Sequence, residues 1–167
     1  GEKGLATYLE DHLAGATGAI DLLKNLEEEH TGQPLARVLE ELRGEIQSDR
    51  ATLAALSERV GRGEHSVKET AARLGEKLSR WKLERSVSGP IGTLEALEAL
   101  ALGIWGKRAL WLALRAAGPR DAGIETADLG RLIHRAETQH ERVEQLRLEA
   151  AREAFGAPVA ASPGRAS

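Results

Sequence analysis

The 167-residue chain contains no cysteine and no methionine, and tyrosine and phenylalanine occur once each. Without thiols there are no disulfides, no thiolate metal site and no cysteine nucleophile, a usage that fits a cytoplasmic setting. Aromatics make up only 3% of the residues and β-branched residues are sparse, which excludes the core of a sandwich or barrel. The longest apolar stretch is broken by Gly103, Lys107 and Arg108, short of the ~20 residues that span a bilayer, so no membrane partner is expected. A formal net charge of -3 argues against nucleic acid as a partner. Lys77, Arg80, Lys82 and Arg85 do form a local basic patch, which reads as a solvated helix face.

Alanine, leucine, glutamate and arginine dominate instead, the composition of an all-α bundle. The length suits one domain, placed at residues 5–155, with 156–167 (GAPVAASPGRAS) as a flexible tail. A first helix is predicted over 5–30, with Leu5, Leu9, Leu13, Ala16, Ile20 and Leu23 recurring at helical spacing and His12 at the edge of that row. Gly15 and Gly18 lie on another face and point to a close packing contact there. Pro34 opens a second helix whose row is Leu35, Val38, Leu42, Ile46, Leu53, Leu56 and Val60. Asp49 stands in the middle of that row, with Glu45 on its flank. The short turn makes the two helices antiparallel neighbours and brings Asp49 near the level of His12.

Ser66-Val-Lys-Glu69 is a capping box, and it starts a third helix whose narrow apolar stripe is Val67, Ala71, Leu74, Leu78 and Trp81. Such a helix is long enough to cross from one end of a bundle to the other. Residues 91–117 (IGTLEALEALALGIWGKRALWLALRAA) follow as the most apolar segment of the chain. Wound at 100° per residue, Leu94, Leu97, Ala101, Ile104, Trp105 and Leu112 share a face, with Arg108 near its centre. Ala99, Leu102, Gly106, Ala109 and Ala113 form a second stripe opposite, so this helix is expected to be covered on more than one side. The last helix, 126–155, carries Leu129, Leu132, Ile133, Ala136, Val143, Ala150, Ala151 and Ala154, interrupted by His140.

Two long hairpins joined by a crossover, together with Glu137-Thr-Gln-His140, give the chain a resemblance to the ferritin-like superfamily. The resemblance implies a four-helix bundle with an additional crossover helix. Its metal-binding members hold two iron or manganese ions, with one Glu from each of two helices and a Glu-x-x-His from each of the other two. Here Glu45, Asp49, Glu137 and His140 are the ligands that resemblance would supply, and the function it implies is a di-iron or di-manganese carboxylate protein of oxidase, storage or stress type. The first helix offers no inward carboxylate, however, and the inward middle position of 91–117 falls to a cation, which repels a dication.

The other reading of His12, Asp49, Arg108 and His140 is a buried polar cluster that neutralises itself. A buried guanidinium keeps its proton and demands a carboxylate, and Asp49 is the acid nearest mid-core. On that reading no cofactor is bound, the protein is not an enzyme, and its role is structural or one of protein interaction. The spare stripe on 91–117, with Gly15 and Gly18, leaves a homodimer interface open. His30, His65 and His134 read as solvated, and no nucleophile elbow or phosphate loop is present.

Overall fold

The computed structural model describes residues 2–61, 88–118 and 126–156. Four long helices account for nearly all of them: α1 (Glu2–Glu29), α2 (Pro34–Gly61), α3 (Pro90–Ala117) and α4 (Thr126–Phe155). Among the described residues there is no strand, and no helix is long and apolar enough to cross a membrane. The crossover helix expected from Ser66, with its basic patch, lies outside the described residues, as do His65 and nearly all of the expected tail.

The turns follow from local chemistry. After α1 the chain reverses through Gly32 at φ 81°, a left-handed conformation that glycine adopts without a Cβ clash. Pro34 then opens α2, where its missing N–H leaves no bond unmade. Gly89 and Pro90 repeat the device at the start of α3, and Gly118 at φ 100° ends that helix.

Close packing joins α1 to α2, α1 to α3, and α3 to α4. Between α2 and α4 the contacts are made by long side chains. Arg142 donates to Glu45 at 2.7 Å and to Glu41 at 3.3 Å, and Arg135 donates to Asp49. These pairs step in opposite senses along the two helices, so α2 and α4 are antiparallel. His30, just beyond α1, meets the Thr93 hydroxyl at 3.0 Å in the first turn of α3. Helix α1 is therefore antiparallel to both α2 and α3, and those two run in the same direction. It follows that the end of α2 and the start of α3 lie at opposite ends of a bundle about 42 Å long, the length of 28 residues at 1.5 Å each.

Core residues follow alternating steps of three and four, the 3.5-residue period of helices that wind around one another in a left-handed sense. On α2 the series is Leu35, Leu39, Leu42, Ile46, Asp49, Leu53, Leu56 and Val60; on α3 it is Leu97, Leu100, Ile104, Lys107, Trp111 and Leu114. On α4 it is Leu129, Leu132, Ala136, Gln139, Val143, Leu146 and Ala150. One polar residue interrupts each series. The three interruptions stand at one level and divide the apolar core in two. On one side Leu23, Leu26, Leu39, Leu42, Leu97 and Leu100 pack together; on the other are Leu9, Leu56, Leu110, Trp111, Leu114 and Leu129.

Two expectations about α3 are corrected. Trp105 was expected inside and is half exposed, while Trp111 is fully buried. On α3's outer side none of the described residues covers the second stripe: Leu102 is 75% exposed, and Ala109 and Ala113 face outward with it. A Cβ at Gly15 would meet none of the described residues within 4 Å, and the crossover helix expected to pack near Gly15 and Gly18 lies outside them.

Candidate functional site

At the middle of the bundle Asp49, 3% exposed, is surrounded by donors from α3 and α4. Lys107 Nζ donates to its Oδ2 at 2.5 Å, Gln139 Nε2 lies 3.4 Å from the same oxygen, and Arg135 donates to Oδ1. Gln139 is wholly buried. Its amide nitrogen donates to Glu45 at 2.9 Å, and its carbonyl oxygen accepts from Lys107. Each buried polar atom of the Asp49 and Gln139 side chains thus has a partner, which removes the cost of an unmade hydrogen bond. Burial pushes the Lys107 ammonium below its ordinary range; the Asp49 carboxylate opposes that, Arg135 adds to it, and Glu45 opposes it.

The buried cation is therefore Lys107, where Arg108 was expected. Arg108 sits one position round the helix, donates to Glu137 at 2.7 Å near the surface, and lies over the Trp105 ring at 4.7 Å. His140 is displaced in the same way: Gln139 takes the inward position, and the half-buried His140 ring meets that of Trp105 at 4.9 Å, tilted by 50°. Of the expected cluster, His12 and Asp49 line a common cavity without a hydrogen bond between them, while Arg108 and His140 share a separate surface group with Glu137 and Trp105. Burial lowers the His12 imidazole, Asp11 partly offsetting this, and its ring makes an edge contact with Tyr8 at 4.7 Å.

The ligand set implied by the ferritin-like resemblance does not assemble. Glu45 is held by Gln139 and Arg142, Asp49 by Lys107 and Arg135, Glu137 by Arg108, and His140 faces Trp105. Among the described residues no three His, Asp or Glu side chains come together as metal ligands would. These residues do not fit a di-metal centre.

Beside the polar layer lies a cavity of about 190 Å³ between α1, α2 and α3. It exists because α1 contributes only Gly15, Ala16 and Ala19 at the level where the other helices bring Asp49, Lys107 and Gln139. Gly103 and Gly106 of α3 extend it, and a Cβ at Gly15, Gly103 or Gly106 would meet nothing within 4 Å. Trp111 lines the hollow, fully buried, and its indole Nε1–H has no acceptor among the described residues. Lys107, Arg135, Gln139 and this cavity escaped the sequence reading; strict three-four spacing would have found Lys107 and Gln139, because both continue their helix's core series.

Neither a protein-family model, nor a curated protein, nor a solved structure is matched by this chain.

Proposed function

We propose that this chain is a ferritin-like bundle that has given its metal position to an ion pair and works by association, as a homodimer without catalytic chemistry. The ferritin-like path is supported by the parallel run of α2 and α3: the end of one and the start of the other lie at opposite ends of the bundle, which requires a connection along its whole length, as in that topology. The loss of a metal centre is supported by Asp49, whose two oxygens are engaged by Lys107, Arg135 and Gln139.

One observation carries the association: the outward face of α3. From Ala99 to Ala116 its outer rows hold Leu102, Trp105, Gly106, Ala109, Leu112 and Ala113, with Arg108 at one edge, lying over the Trp105 ring. Leu102 and Trp105 are exposed, and so long an apolar row is unusual for a helix that borders water. Gly106, Ala109 and Ala113 allow a second backbone to come close. Glu95 and Glu98 precede the face and Arg115 lies near its end, so two copies of α3 crossing antiparallel about Gly106 set unlike charges against each other.

Sedimentation equilibrium tests this. The parent chain should be dimeric at micromolar concentration, and Leu102→Asp should be monomeric with its helix content kept. A monomeric parent overturns the reading. In that case a Leu102→Asp variant that also loses stability would point to cover from within the chain, for which the apolar row from Val67 to Trp81 is the candidate.

A further inference from the structure

We propose that the cavity beside the polar layer binds a small monocarboxylic acid with a compact apolar body, its carboxylate received by the Trp111 indole N–H and the Lys107 ammonium. The inference does not rest on the dimer, and the two meet only at Gly106, which edges the hollow. Its starting point is Trp111, which lines the hollow and whose buried indole N–H has no acceptor among the described residues. Buried donors are nearly always paired, so an unpaired one beside empty space calls for an acceptor supplied from outside.

Size and wall chemistry narrow the class. An engineered cavity of roughly 150 Å³ holds benzene, so about 190 Å³ accommodates one ring with a small substituent. Ala16, Ile46, Leu53, Ile104 and Leu110 supply apolar walls for such a body. Spare donors select the substituent. Around the hollow Asp11 and Asp49 balance Arg50 and Lys107, and what is left over is hydrogen-bond donors. An ammonium has three donors, and Lys107 uses one on Asp49 and one on Gln139. Trp111 stands four residues after Lys107, one turn along the same face, and both line the hollow, so the spare donors of the two residues are neighbours there. Asp11, His12 and Arg50 border the same hollow, and Arg50 is turned toward Thr17, to which its Nε donates at 3.0 Å.

Isothermal titration of the full chain with benzoate, toluene and benzylamine tests the assignment. Benzoate should bind saturably, about one per chain with a Kd on the order of millimolar, and should exceed both controls. Ala16→Leu, which fills the hollow and leaves both donors in place, should abolish the signal. Trp111→Phe, which keeps an aromatic wall and removes the N–H, should weaken binding about tenfold. The proposal fails if benzoate gives no saturable heat, if toluene binds as well, or if neither substitution changes the titration. It fails equally if a crystal grown with benzoate shows only a water on Trp111 Nε1.

Discussion

Lys107 Nζ lies 2.5 Å from Asp49 Oδ2, joining α3 to α2 through the middle of the bundle. The pair sits where two apolar halves of the core meet, and it carries the first prediction. Asp49→Ala leaves Lys107 buried and Arg135 without its acceptor, and should destabilise the fold by about 3 kcal/mol or more. Arg108→Ala breaks the partly exposed pair with Glu137 and the contact over the Trp105 ring, and should cost about 1 kcal/mol. Urea denaturation of the two variants decides between Lys107 and Arg108 as the buried cation. Similar losses in both would refute the assignment.

Replacing the whole layer has a different expected outcome from breaking it. The triple variant Asp49→Leu, Lys107→Met, Gln139→Leu removes donors and acceptors together, and Arg135, one-third exposed, can turn to water. Its melting temperature should match or exceed the parent's, since desolvating charges offsets much of their attraction. What should suffer is uniqueness, because a continuous leucine seam can slide by a turn. Amide NMR spectra read this directly: broadened or doubled peaks are expected, and a spectrum as sharp as the parent's would deny the layer its register role.

Acid should weaken the fold partly through His12. Burial sets its folded-state pKa below the ordinary 6.5, so the unfolded chain takes up the proton first as pH falls. The contribution is whole above 6.5, declines as pH drops below that value, and is fully lost once the pH has passed the depressed folded-state value. His12→Gln should flatten the stability profile over this interval relative to the parent. Denaturation series at pH 7.5, 6.5 and 5.5 measure the difference, and identical slopes would rule His12 out.

Iron(II) or manganese(II) should leave the melting temperature unchanged over a wide range of added metal. A ligand stabilises only through a site in the folded state, and here every carboxylate of the expected quartet is held by a cation or an amide. A midpoint that climbs with metal concentration, or stoichiometric metal in the purified protein, would reinstate the di-metal reading.

The bundle was legible in the sequence because its apolar residues recur over helices of 28 to 30 residues, with glycine and proline marking the breaks. Asp49 was legible too, since leucine and isoleucine frame it on both sides at core spacing. Lys107 was mistaken for Arg108, and Gln139 for His140, through one shared cause. A straight helix at 3.6 residues per turn drifts ~20° per heptad from a wound one, and ~40° over two heptads is enough to tip the choice between adjacent residues that flank the inward direction. Trp105 was placed inward for the same reason. The cavity left no trace, because a hollow depends on what three helices fail to contribute at one level, and each of Gly15, Ala16 and Ala19 is unremarkable in its own strand of text.

The division of the core has a consequence for how the molecule breathes. Leucine packing at either end is interrupted by a charged boundary, so loosening one end need not propagate through oily contacts into the other. Backbone amides near Leu26 and Leu97 and those near Leu56 and Leu129 belong to separate compartments, each able to open while its counterpart stays shut.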